Sequence, residues 1–159
     1  MSLFSKQKTD RVMVAQQTGK IVPITEVPDD VFSGKILGNG VGIIPSDHRV
    51  LAPISGKIVQ IADTLHAICI ESDDGLEILI HLGLDTVQLK GQGFTCHVKV
   101  GQHVLTGDLL MDMDIEQIKQ AGYRVVTPCI ITNMDHVKKL TVYGGSADAG
   151  KTAIMKYSL

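Results

Sequence analysis

Short aliphatic runs broken at close intervals by glycine, aspartate and proline constrain this chain more than any other feature. Lys20 to Ile24, Val41 to Ile44, Arg49 to Ile54, Lys57 to Ile61, His66 to Glu71 and Leu76 to His81 read as short strands. So do Val98 to Val100, Leu109 to Met113, Arg124 to Ile131, Leu140 to Tyr143 and Thr152 to Tyr157. Sixteen glycines punctuate them. Many short strands joined by turn residues bury their faces against one another, so the predicted fold class is all-β: an antiparallel β-sandwich or barrel-sandwich hybrid with at most short peripheral helices. One helical segment stands out, Ile115 to Ala121, with Asp114 as N-cap and Gly122 as the stop.

With 159 residues, 44% of them hydrophobic and 20% charged, the chain suits one domain with a core of its own, and no run is long enough to span a membrane. Met1 to Asp10 are polar and lack periodicity, so they are expected to be mobile. The domain is drawn from residue 19 to 159 behind a flexible leader of residues 1–18. A formal charge of −2 and 4% aromatic residues offer neither a basic face nor a stacking platform, which argues against nucleic acid as a partner. Cys69, Cys96 and Cys129 are odd in number, form no CxxC and follow no signal peptide, so they are expected to be reduced in a cytoplasmic protein.

The chemistry-bearing feature is a pair of histidines in T64-L-H66-A-I-C-I-E-S-D-D-G-L-E-I-L-I-H81-L-G83. Ser72-Asp73-Asp74-Gly75 is a dense turn cluster between two strand-like runs, so the segment reads as a hairpin. If Asp73-Asp74 form the turn, His66 faces His81 directly, with Cβ atoms ~5 Å apart. If Asp74-Gly75 form it, the two are diagonal neighbours roughly 7–8 Å apart. Either register keeps them on one face, and a bulge of one residue would separate them. A neutral imidazole is a nucleophile, and a second ring can donate a hydrogen bond to the group it acquires, which suits phosphoryl transfer. Thr64, two residues before His66, can hold that ring in one tautomer, and Gly83 lets a backbone carbonyl approach the other. Taken alone, a strand histidine is more often structural. A zinc site would need a third protein ligand, and His48, His97, His103 and His136 are scattered, so no metal and no cofactor are expected.

The runs G19-K-I-V-P-I-T-E-V-P-D-D-V-F-S-G-K-I-L-G-N-G-V-G-I-I-P45, A52-P-I-S-G-K-I, T64-L-H66, H81-L-G-L-D-T-V-Q-L-K-G-Q-G-F94 and T132-N-M-D135 resemble the glucose-class enzyme IIA of the bacterial phosphoenolpyruvate-dependent sugar phosphotransferase system, from about Gly19 to the C-terminus. The resemblance implies that His81 accepts a phosphoryl group on Nε2 from the carrier HPr and passes it to a cysteine of the IIB domain of a sugar permease. It implies that His66 supports the group and is needed for onward transfer, and that Thr64 and Gly83 orient the rings. Asp29 and Asp85 match an acidic collar that meets partner arginines. Val31, Phe32, Ile36, Leu37, Leu79 and Val87 match an apolar ring around the histidines. Members often carry phenylalanine at position 79 and an acidic residue at position 34, where this chain has Leu79 and Gly34. Contact with a membrane is implied only through the permease. Family members also bind regulatory targets in a phosphorylation-dependent way, which gives the alternative reading of a regulatory module. Judged on sequence character alone, Ile36 reads as core and Phe32, beside Asp29 and Asp30, as exposed.

Three rival readings lack a required residue or element. A52-P-I-S-G-K-I and V98-K-V-G-Q-H-V-L-T-G-D-L-L share the strand grammar of biotinyl and lipoyl carriers, but no lysine lies between Lys99 and Lys119 to be modified. A lysostaphin-type zinc endopeptidase would need an H-x-H pair, and none is present. Gly145-Ser-Ala-Asp-Ala-Gly150-Lys151-Thr152 fits the phosphate-loop pattern, yet the residues after it read as a strand rather than the helix such a loop must open.

Overall fold

The computed structural model describes residues 11–159. In chain order the strands are β1 (Arg11–Val14), β2 (Gly19–Pro23), β3 (Asn39–Pro45), β4 (Arg49–Leu51), β5 (Gly56–Ile61), β6 (Ala67–Ser72) and β7 (Glu77–His81). They continue as β8 (Phe94–Cys96), β9 (His103–Val104), β10 (Leu109–Met113), β11 (Thr127–Ile131), β12 (Lys139–Val142), β13 (Gly145–Ala147) and β14 (Ala153–Ser158). Two short helices, α1 (Asp30–Ser33) and α2 (Ile115–Gln120), join them. The strands form an eight-stranded sheet in the order β13-β2-β3-β11-β7-β6-β5-β9 and two three-stranded sheets, β1-β14-β12 and β4-β10-β8. Every pairing is antiparallel, as the all-β reading requires.

Period-2 alternation sorts the large sheet. Ile68, Ile70, Ile78 and Ile80 point inward from β6 and β7 and are sealed in the main core with Val41, Ile43, Ile58, Leu110 and Met111. Burying each such side chain contributes roughly 1.5–3 kcal/mol against leaving it in water. On the opposite face Val22 and Ile130 join Ile24, Val27, Phe32, Leu84 and Val126 in a smaller cluster. That cluster covers the sheet closely because β3 carries Gly42, whose hypothetical Cβ would lie 3.0 Å from Val27 and 3.2 Å from Val22.

Several expectations need correction. The leader does not extend to residue 18: β1 pairs with β14, Met13 and Ala15 are core, and Gln16 and Gln17 are fully buried, with amides donating to the carbonyl (3.2 Å) and hydroxyl (3.3 Å) of Thr127. Arg11 also reaches Asp74 at 3.2 Å. Core packing and hydrogen bonding thus order residues whose sequence shows little strand character. The expected mobility of Met1 to Asp10 lies outside the described residues. Val98 to Val100 form no strand, whereas the unanticipated β8 lies just before them and pairs with β10. α2 falls where expected, its first turn capped by the Asp114 carboxylate accepting from Gln117 N–H at 3.1 Å. The phosphate-loop look-alike is β13 followed by a turn, in which the amide of Asp148 donates to Thr152 Oγ1 at 2.8 Å, leading into β14.

Candidate functional site

The hairpin that carries the histidines has neither register anticipated for it. Ser72 N–H donates to Leu76 O and Gly75 N–H to Ser72 O, leaving a three-residue loop of Asp73, Asp74 and Gly75, with Gly75 at φ +96°. Ala67, not His66, therefore lies opposite His81. His66 sits just outside the ladder, and Leu65 ahead of it adopts the left-handed conformation at φ +61°. That turn, together with a 2.7 Å hydrogen bond from Leu82 N–H to His66 O, brings the ring back across the strand end. The two imidazoles meet edge to face, centroids 5.1 Å apart and planes at 80°. Their proximity, expected from strand parity, is produced by a backbone reversal.

Each ring is held at one nitrogen. His81 Nδ1–H donates to Gly83 O at 2.7 Å, which fixes the proton on Nδ1 and leaves the lone pair on Nε2. His66 Nδ1 lies 2.6 Å from Thr64 Oγ1; with the hydroxyl donating, the ring proton is on His66 Nε2. Burial, reinforced by the neighbouring imidazole, pushes His66 below the ordinary histidine range. Burial likewise pushes His81 down, opposed by the Gly83 carbonyl and by Asp29 and Asp85. Both shifts favour the neutral form of the ring.

The loop after β7 is built to present that carbonyl. Gly83 sits at φ +79°, and a Cβ there would lie 2.7 Å from Thr86 Cγ2 and 2.8 Å from Arg124 O. The buried Thr86 hydroxyl donates to Leu82 O at 2.6 Å, and Leu84 N–H to Arg124 O at 3.1 Å, so both ends of the loop are pinned. Asp85 follows in the left-handed region, exposed, and leads into a short 3-10 turn, Thr86–Leu89, that carries Val87 on the surface.

The apolar surroundings correct two expectations. Phe32 is 4% exposed rather than surface, its ring centroid 5.2 Å from that of His81. Ile36 is 71% exposed rather than core. The cause is local: Asp29 Oδ1 accepts from Val31 N–H at 3.0 Å and caps α1, which turns Phe32 inward onto the small cluster and Val31 outward. Lys35, left-handed at φ +57°, then directs Ile36 and Leu37 to solvent. Leu79 is half-buried against the small cluster, two residues before His81 on the same face. Val31, Ile36, Leu37 and Val87 are exposed apolar residues, and Asp29 and Asp85 are near enough to influence His81.

Such an arrangement can attack an electrophile with His81 Nε2 and donate a hydrogen bond from His66. Away from this site, His48, Asp114 and Glu116 bring their donor atoms within 4.8 Å of one another, a grouping that sequence spacing did not reveal because β4 and the start of α2 are far apart in the chain. No helix among the described residues is long and apolar enough to cross a membrane.

Comparison with known proteins places these features in context. The family model described as phosphoenolpyruvate-dependent sugar phosphotransferase system, EIIA 1, matches residues 11–137. The chain is 43% identical over 157 residues to the glucose-specific EIIA component of the phosphotransferase system from Bacillus cereus, covering 98% of this chain and 95% of that protein. It is 43% identical over 152 residues to the corresponding protein of Buchnera aphidicola, covering 96% and 93%. The solved glucose permease IIA from Mycoplasma capricolum superposes with a TM-score of 0.86 at 36% identity, covering 92% of this chain and 95% of that one.

Proposed function

We propose, starting from the fact that this chain belongs to the EIIA 1 family of the phosphoenolpyruvate-dependent sugar phosphotransferase system and is a phosphoryl carrier in sugar uptake, that His81 Nε2 is the atom that carries the group. The observation that supports this most directly is the unequal state of its two nitrogens: Nδ1 is tied to Gly83 O at 2.7 Å, and Nε2 has no hydrogen-bond partner among the described residues.

The Nε2 lone pair attacks the phosphorus of phosphohistidine on HPr; the new N–P bond forms as the old one breaks, and the HPr imidazole leaves with its electron pair. His81 acquires positive charge on its ring, which the Gly83 carbonyl stabilises through Nδ1–H and which the carboxylates of Asp29 and Asp85 favour. His66 Nε2–H donates to a phosphoryl oxygen while Thr64 holds its other nitrogen. In the second step a cysteine thiolate of a IIB domain attacks the phosphorus and neutral His81 is released. Phe32 and Leu79 limit water at the N–P bond, and the exposed Val31, Ile36, Leu37 and Val87 with the two acidic residues form a modest apolar patch with a charged rim, suited to partners that bind in turn and leave.

The test is intact mass after incubation with phosphoenolpyruvate, enzyme I and HPr, with and without a IIB domain. Wild type gains one acid-labile phosphoryl group and loses it to IIB; His81→Ala gains none; His66→Ala is charged but is not discharged. A phosphorylated His81→Ala would remove that residue from the carrier role.

A further inference from the structure

Away from the histidine pair the described residues form a further concavity. A groove of about 520 Å3 opens on the outer face of the large sheet, between β2 and β3 on one side and the segment after α2 on the other. Its volume falls within the span of small-molecule sites, roughly 300–1,000 Å3. Val22, Val125 and Val126 give it buried apolar lining, and Tyr123, half-buried, adds an aromatic wall. Three cations, Lys20, Lys119 and Arg124, line it against a single carboxylate, Glu26. The side chains of these cations and the Tyr123 hydroxyl make no hydrogen bond or ion pair among the described residues. Apolar lining with an excess of exposed cationic donors that have no protein partner is complementary to an apolar body that bears an anionic group, since the anion displaces only water from them.

We propose that this groove is a binding site for a small organic anion: a flat or aliphatic body against Tyr123 and the valines, with a phosphate or carboxylate between Arg124, Lys119 and Lys20. The site is separate from the histidine pair yet adjoins its support, because Val22 and Val126 pack in the same cluster as Phe32 and Leu84, and the Arg124 carbonyl accepts from Leu84 N–H. It does not depend on the role assigned to His81.

The test is a titration of the 15N-labelled full chain with phenyl phosphate, followed by amide chemical shifts, with benzoate, inorganic phosphate and phenol as separate arms. The expected result is saturable shifts at residue 22 and residues 123–126 with phenyl phosphate. Inorganic phosphate and phenol are expected to bind about tenfold more weakly or less, because each supplies half of the complementarity. The benzoate arm tells whether a carboxylate serves as well as a phosphate. Shifts are expected to disappear in Lys119→Gln/Arg124→Gln, whose two sites are exposed, and to persist in His81→Ala. Absence of saturation with both aryl anions, unchanged binding in the double variant, or shifts centred on His66 and His81 that vanish in His81→Ala would overturn the proposal.

Discussion

On one face of β6 and β7, Ile68, Ile70, Ile78 and Ile80 are sealed in the main core; on the other, Cys69, Leu79 and His81 are only half-buried beside a cluster a fraction of that size. The same two strands supply both faces, because alternate side chains of a strand point to opposite sides. The comparison teaches that rigidity and the proposed reactivity are separable here: the inner face fixes the backbone, while the outer face holds a half-buried His81 ring clamped at one nitrogen. Variants on the two faces should therefore change different observables.

The largest effect is expected at the clamp. Gly83→Ala forces a side chain into a left-handed position against Thr86 and the Arg124 carbonyl, which displaces the acceptor of His81 Nδ1–H. A misplacement of that kind costs on the order of 100-fold in transfer rate; a rate within a few-fold of wild type, by quenched-flow transfer from HPr, would show that the clamp is dispensable. Ile80→Ala, its inner-face counterpart, should cost about 2–5 kcal/mol in denaturant unfolding while leaving the transfer rate of the folded fraction nearly unchanged. If it damages transfer as much as stability, the two faces are not separable. Thr64→Val keeps shape but removes the hydroxyl that holds His66 Nδ1. Onward transfer to IIB should slow by roughly 10–100-fold, with unfolding free energy altered by less than about 1 kcal/mol.

Electrostatic variants sharpen the comparison further. Asp29→Asn retains a residue able to cap α1, and Asp85→Asn leaves an exposed side chain, so neither should unfold the site. Each should slow encounter with HPr several-fold at low salt, and the difference should shrink as salt is raised. The smallest effect is on acid stability. Because burial holds both histidines below the usual value of about 6.5, the unfolded chain binds more protons between the folded value and 6.5. Their contribution is full above that range and declines as pH falls through it. Replacing both by alanine should flatten the loss of stability between pH 7.5 and 5.5 relative to wild type. His48, raised by its hydrogen bond to Glu116, contributes with the opposite sign in both proteins and so drops out of the difference.

The strand and turn pattern made the fold class readable, and the T-x-H and H-x-G spacings made the ring pair and its two tethers readable, because these depend on local periodicity and short-range hydrogen bonds. The register was not. A three-residue loop ending in Gly75 cannot be told from a two-residue one by composition, and nothing about leucine announces the left-handed turn at Leu65 on which the position of His66 depends. Phe32 and Ile36 were misplaced for a related reason. Charge on Asp29 and Asp30 suggested exposure, whereas Asp29 is a helix cap and the turn it opens buries Phe32; reading it as a cap would have found α1. β1 was missed because its order comes from pairing with β14 and from buried glutamines, neither visible in a short N-terminal run.

The most direct test of the proposed mechanism is long-range 15N–1H correlation of the histidine side chains at pH 7.5, before and after phosphorylation through HPr. The account predicts that free His81 carries its proton on Nδ1, and that phosphorylation places the phosphorus, seen by its coupling, on Nε2 of His81 with the Nδ1 proton retained. A free ring protonated at Nε2, or a phosphoryl group on Nδ1 or on His66, would contradict it.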